Sequence, residues 1–202
     1  MIIHISGAPG SGKTTLGKKL QKHFQKYKSK IIVKDLDNIF MRYEKSRATQ
    51  KWNNKKYQEY LNKLLLKYKN ANKTIILVGL NKDMGHSNTL YNVYADYKFY
   101  IKIPIKKHTK QAFIREFAGW LNWMQNRDPK ILFNQLLENE KQVIKDLTKS
   151  LSGNLSLSKM KKEILIFDKL YETKNYTFLT SVKIYNKIIK LVQCLIGVKH
   201  RL

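Results

Sequence analysis

Gly7-Ala8-Pro9-Gly10-Ser11-Gly12-Lys13-Thr14 is the stretch that decides how the rest of the chain is read. It meets every fixed position of the pattern G-x-x-x-x-G-K-[ST]. Its flanks supply the setting that this pattern needs. Before it, Ile2-Ile3-His4-Ile5-Ser6 is a nearly continuous apolar run, as in a buried parallel strand. After it, Leu16, Leu20, Phe24 and Tyr27 recur at helical spacing and predict one helix face over 13–27. Glycines allow the loop backbone angles closed to other residues, so that successive amides converge on one point. The following helix adds the positive end of its dipole. Such a concavity suits the phosphates of a nucleoside triphosphate. Gly7, Ala8, Pro9, Gly10, Ser11, Gly12, Lys13, Thr14 and Thr15 are the candidate contacts. In that setting Lys13 is expected to bridge the outer phosphates and the Thr14 hydroxyl to hold Mg²⁺.

Working outward, Ile31-Ile32-Val33 reads as a second buried strand ending at Asp35, and 53–69 as a helix. Thr74-Ile75-Ile76-Leu77-Val78 is a third strand, punctuated by Gly79, and Phe99 to Ile103 a fourth. Residues 106–149 read as two helices broken near 126–129, with Pro129 suited to a helix start. Ser150 to Ser158 is the most loop-like stretch. A fifth strand comes from either Ile164–Phe167 or Tyr176–Leu179. A last amphipathic helix spans 181–196, with Val182, Tyr185, Ile188, Ile189 and Val192 on one face. Strands alternating with helices predict a parallel α/β sheet covered on both faces. The expected organisation is one domain over 1–202, with 106–163 inserted in it as a helical lid or substrate wall.

The 202 residues hold 40 Lys+Arg against 14 Asp+Glu, a formal net charge of +26. Lysine (35), isoleucine (20) and asparagine (16) share A/T-rich codons, which explains part of this bias but not the shortage of glutamate. Cutting the chain at 50, 100 and 150 leaves charges of +8, +6, +5 and +7, so no basic arm stands apart. A diffuse positive field steers phosphates inward and makes nucleic acid a candidate partner. A chain with 43% hydrophobic and 11% aromatic residues is not disordered. Cys194 is alone, which excludes a disulfide framework, and His4, His23, His86, His108 and His200 form no metal or triad spacing. The N-terminus lacks the pattern of a signal peptide and no apolar run reaches membrane-spanning length, so a cytoplasmic protein is expected.

Among so few acids, Asp35 and Asp37 stand two apart where the second strand ends. That is the carboxyl edge of the sheet, the same edge as the glycine-rich loop. One carboxylate there can orient or deprotonate an acceptor hydroxyl, and the other can hold the metal's water shell. Alternatively, Asp37 caps a helix beginning at Asn38 or Ile39. The third strand, TIILVGLNKD, carries no acid at its end, which argues against a motor ATPase or a switch GTPase, and Asn81-Lys82-Asp83 has the wrong spacing for a guanine signature.

GAPGSGKTTLGKKL, DLDNIF and VGLNK together resemble the small P-loop kinases related to adenylate, shikimate and gluconate kinases, a group that includes polynucleotide 5′-kinases. The KDLDN and VGLN combination is also similar to kinase-like proteins of large DNA viruses, which would place the chain in an infected host cell. The resemblance is specific over about 1–40, suggestive over 73–120 and weak beyond. It implies a three-layer αβα P-loop NTPase fold with strand order 2-3-1-4-5, ATP as donor and Mg²⁺ as cofactor. It also implies lid arginines, and Arg115, in KQAFIREF, resembles the arginine that flanks the family's lid. Arg42 and Arg47 follow the D-x-D, where an acceptor would lie, and Arg127 sits at the helix break. Lys13, Asp35, Asp37 and Arg115 are therefore the catalytic candidates, and Asp35, Asp37, Arg42, Arg47 and Arg127 the acceptor-binding ones. Trp120 and Trp123 suit a helix–helix contact better than base stacking. The expected activity is transfer of the γ-phosphoryl group to a small-molecule hydroxyl or phosphate. The alternatives are a polynucleotide 5′-hydroxyl kinase and a nucleic-acid-binding ATPase with no acceptor.

Overall fold

Short runs of apolar, mostly β-branched residues pair edge to edge in the computed structural model, which describes residues 1–46, 53–80, 93–126, 128–154 and 156–196. The strands are β1 (Ile2–Ser6), β2 (Ile31–Asp35), β3 (Thr74–Val78), β4 (Tyr97–Ile101) and β5 (Thr177–Leu179). They form one sheet of order β2-β3-β1-β4-β5. Every pairing is parallel, with Ile3 opposite Ile76 on one side of β1 and Ile5 opposite Phe99 on the other. This is the P-loop NTPase arrangement that the resemblance to small P-loop kinases implies.

The helices are α1 (Lys13–His23), α2 (Leu36–Lys45), α3 (Asn54–Asn70), α4 (Ile105–Gln125), α5 (Pro129–Asn154), α6 (Leu157–Glu172) and α7 (Ser181–Ile196). The chain divides into two compact units. The first comprises Met1–Ala8, Gly12–Lys102 and Asp168–Leu202; the second comprises Pro9–Ser11 and Ile103–Phe167.

In the first unit, side chains alternate across the sheet and each face gathers its own helices. Ile2, Ile75 and Leu77 join Leu36 and Ile39 of α2 and Leu61 and Leu65 of α3 in one buried cluster. On the other face, α1 and α7 touch each other, with α1 against β2 and α7 against β4. Gly17 brings α1 close to the sheet: a Cβ there would lie 3.2 Å from a Val78 methyl.

Several boundaries differ from the sequence reading, each for a local reason. The helix starting at Lys13 ends at His23 and a single 3-10 turn, Gln25–Tyr27, follows. Leu16, Leu20 and Phe24 are buried as predicted, whereas Tyr27 is exposed. Strand β4 is set two residues earlier than 99–103, because β1 pairs Ile3 with Tyr97. The fifth strand is the Tyr176–Leu179 candidate; Ile164–Phe167 lies inside α6, where Met160, Ile164, Phe167 and Tyr171 are buried at helical spacing. Most of Ser150–Ser158 is helical: α5 runs to Asn154 and α6 begins at Leu157. One interior glycine costs a helix only about 1 kcal/mol, too little to break it alone. Among the described side chains of α7 the buried ones are Ile184, Ile188 and Val192, one every four, while Val182 faces solvent.

The second unit is helical. Where the sequence reading inserted 106–163, the compact region takes in Ile103–Phe167 and the loop residues Pro9–Ser11. Its buried positions include His108, Thr109 and Ala112 on α4 and Met160, Ile164 and Phe167 on α6. Helix α5 is interrupted at Asn139, whose φ of −156° and ψ of 71° are not helical.

Candidate functional site

The glycine-rich turn between β1 and α1 takes the shape its composition allows. Gly10 and Gly12 have φ of +82° and +86°, a left-handed conformation that favours glycine. Gly12 is the N-cap of α1, and its carbonyl accepts from the Leu16 amide at 3.0 Å. The Lys13 ammonium is drawn to the loop and donates to the carbonyls of Gly7 at 2.8 Å and Ala8 at 3.0 Å. Thr14 and Thr15, the second and third residues of the helix, are exposed.

Strand β2 delivers Asp35 to the neighbouring turn. Asp35, not Asp37, is the N-cap of the helix that follows, and that helix starts at Leu36 rather than Asn38 or Ile39. Its backbone is extended, as a cap requires, and its Oδ1 accepts from the Asp37 amide at 2.9 Å. The Asp37 carboxyl is half-buried, and its pKa is raised first by desolvation and then by the Asp35 charge, with the Lys13 charge opposing. Lys13, Asp35 and Asp37 therefore lie within one another's fields at the carboxyl edge of the sheet.

Thr14, Asp35 and Arg42 share a cavity of about 260 Å³ between α1, β2 and α2, with Lys18, Lys34 and Asn38 also on its wall. Three cations face one carboxylate there. Arg115 belongs to α4 in the second unit. Its guanidinium is paired with Glu116, and it lines a cavity of about 330 Å³ with Pro9, Lys159 and Glu163. Arg47 and Arg127 lie outside the described residues, as do Asp83, His86, His200 and the side chains of Trp120 and Trp123.

Two residues at this edge were not singled out by the sequence reading. Gly79 ends β3 with φ of +138°, and a Cβ on it would lie 3.0 Å from the Leu36 Cβ and 3.5 Å from the Asp35 Oδ1. Only glycine lets the strand end pass so close to the Asp35 cap. His4, fully buried in β1, engages the Gly79 carbonyl with Nε2 at 3.1 Å and the Tyr176 hydroxyl with Nδ1. A carbonyl can only accept, so Nε2 carries the proton and Nδ1 accepts from Tyr176. Burial pushes the His4 pKa down from 6.5 to about 4, so the ring is neutral. The signal was present: a histidine among isoleucines in a central strand has to satisfy two ring nitrogens inside the protein.

The donor set suits a hard cation held jointly with phosphates. Thr14 offers a hydroxyl, and Asp35 and Asp37 offer carboxylate oxygens. Among the described residues no group of three or more His, Cys, Asp or Glu side chains could hold a metal alone. Mg²⁺ takes one or two protein ligands and completes its shell with phosphate oxygens and water. The buried hydroxyls of Ser6, just before the loop, and Ser11, within it, have no hydrogen-bond partner among the described residues. Also among the described residues, no helix is long and apolar enough to cross a membrane.

The sequence model of the family described as chromatin associated protein KTI12 covers residues 1–117, more than half of the chain, including β1 to β4, the glycine-rich loop and Asp35. The chain belongs to this family, whose members are P-loop proteins associated with nucleotide binding. No curated protein matches it.

Proposed function

We propose that this member of the KTI12 family is an ATP- and Mg²⁺-dependent phosphotransferase acting at the carboxyl edge of β1 and β2. The observation that carries the reading is the single cavity lined by Thr14, Asp35 and Arg42. It sets the residue expected to hold the metal beside a carboxylate able to orient a hydroxyl and an arginine able to pair with an anion. ATP supplies the phosphoryl group and Mg²⁺ neutralises its charge. The loop N–H groups between Gly7 and Gly12, Pro9 having none, hold the phosphates, with the Ser11 and Thr15 side chains beside them. Lys13 leaves its carbonyl partners to bridge the outer oxygens. Asp35 aligns the acceptor hydroxyl and takes its proton. Asp37, with its raised pKa, is the second carboxyl able to hold a proton there. Arg115 is assigned to a lid over 106–163, and Arg42, Arg47 and Arg127 to the acceptor. A small molecule, a nucleoside, nucleotide or sugar acid, is the first acceptor class.

A second reading, a polynucleotide 5′-hydroxyl acceptor, is favoured by the surface beside the cavity. A groove of about 530 Å³ shares Lys18, Gln21, Val33 and Lys34 with it and adds Lys22 and Lys28. Lysines with no acid among them, over Phe24, Ile31 and Ile32, suit a chain with an anionic backbone and apolar bases. The family's chromatin association is compatible with such a partner, and so is a nucleic-acid-stimulated ATPase.

The test is γ-labelled ATP with Mg²⁺ and pooled nucleosides, nucleoside monophosphates, sugar acids and 5′-hydroxyl oligonucleotides. Label is expected in one pool, and Lys13→Ala should lower transfer by at least about 100-fold, as loss of a charge-stabilising donor does. Salt separates the acceptor classes, because only an oligonucleotide loses affinity steeply as salt rises. Label found only as free phosphate would favour the ATPase.

A further inference from the structure

The crown of the glycine-rich loop, Pro9–Ser11, belongs to the helical unit, and helix α4 holds it in two places. The first is a hydrogen bond. His108 is 2% exposed, and its Nε2 lies 2.9 Å from the Pro9 carbonyl, 99 residues away in sequence. A carbonyl has no proton to give, so the ring N–H is the donor. The second is a packing contact one helical turn further on. A Cβ on Gly10 would lie 3.4 Å from the Ala112 Cα and 3.6 Å from its Cβ, so the Gly10 backbone rests on a small residue of α4. The first turn of α4 is closed locally, with the Thr109 hydroxyl donating to the Ile105 carbonyl at 2.8 Å and the His108 amide to the Pro104 carbonyl at 3.0 Å.

A loop that receives phosphates needs its amides aimed before the ligand arrives, or ordering it costs part of the binding energy. The strand before the loop and the helix after it fix its two ends. Within the motif, Lys13 holds the Gly7 and Ala8 carbonyls, and the next two peptide planes, those of Pro9 and Gly10, decide where the middle amides point. We propose that His108 is a positioning residue for the phosphate-binding loop, donating to Pro9 while Ala112 supports Gly10, so that the aim of the loop's middle amides is set from α4. The inference rests on the nucleotide-binding reading of that loop. It assigns to His108 a role that residue spacing did not reveal, and it makes nucleotide affinity depend on a helix outside the motif.

Two variants separate the donor from the ring. His108→Phe keeps an aromatic ring and removes the N–H; His108→Gln keeps an N–H that can reach a carbonyl. The probe is a fluorescent N-methylanthraniloyl ADP with Mg²⁺, titrated into each full-length variant beside its melting temperature. His108→Phe should bind roughly three- to tenfold more weakly, the scale of one net hydrogen bond, and His108→Gln should stay within about twofold of the parent. Equal affinity in His108→Phe and the parent would overturn the proposal. So would an equal loss in His108→Gln, which would make the ring's packing the cause. If His108→Phe does not fold, the ring ¹⁵N signals of the parent decide: a protonated Nε2 that shifts on addition of Mg²⁺ and ADP supports the proposal, and an unprotonated or unmoved Nε2 overturns it. A parent that binds no ADP overturns the nucleotide reading together with the proposal, an outcome distinct from a parent that binds and a variant that binds equally well.

Discussion

Ile3, Ile5, Leu20, Ile75 and Ile76 of the first unit are 0% exposed, while Ile131, Phe133 and Leu137 on α5 of the second are 59%, 60% and 71% exposed. Both regions are regular secondary structure, so regularity is not what separates them. The central strands β1, β3 and β4 are held by hydrogen bonds to a neighbour on each side and are largely buried, so a residue there has one place to go. The described part of α5 has few buried side chains, so its helical form rests on local propensity and on its start, where the Lys130 amide bonds the Asp128 carboxylate at 2.9 Å. Chemistry that needs side chains placed to a fraction of an ångström belongs in the first kind of region, and Lys13, Thr14 and Asp35 all lie there.

That contrast can be broken by substitution. Leu20→Ala, which empties a fully buried position on α1, should cost about 2–5 kcal/mol in denaturant unfolding. Exposed Leu137→Ala should stay within about 0.5 kcal/mol. Equal losses would mean that α5 is as tightly packed as the sheet. Acid sharpens the contrast within the first unit. His4 is neutral in the fold, with its pKa lowered to about 4 from 6.5. The unfolded chain binds the extra proton first, so this contribution is complete above pH 6.5 and is lost as the pH falls towards 4. The parent should lose about 3 kcal/mol relative to His4→Gln across that window, at 1.36 kcal/mol per unit of pKa. Parallel stability curves for the two proteins would show that His4 does not titrate as buried. Gly79→Ala comes next, at about 1–3 kcal/mol, since it forces a side chain into a left-handed conformation beside Leu36. A melting temperature unchanged from the parent would contradict the close approach there.

The same contrast explains what could be read from the chain. Strand β1, the loop and β3 were legible because a buried parallel strand is a continuous apolar run, and the glycines and Lys13 mark the turn after it. Strand order followed from the resemblance. The start of α2 was misplaced because both Asp35 and Asp37 are good caps, and only tertiary placement shows which one turns its carboxylate to the amides. The helical end of α5 was missed because Ser150–Ser158 has loop composition, and propensity is a weak guide where little is buried. His4, Gly79 and His108 were missed as partners because each acts through a backbone carbonyl or a close approach to a residue distant in sequence, and such pairings leave no spacing to recognise. The lid assignment of Arg115 rests on the resemblance, and its ion pair with Glu116 is the contact observed.

The central claim is phosphoryl transfer oriented by Asp35, and a single-turnover label experiment on Asp35→Asn tests it most directly. Asparagine keeps the side-chain oxygen that caps α2 and removes the base. With γ-labelled ATP and the acceptor pool, the account predicts Mg²⁺-nucleotide affinity within about twofold of the parent and transfer slower by at least about 100-fold, the lower range for a lost general base. Transfer at the parent's rate, or label released only as free phosphate by both proteins, would contradict it.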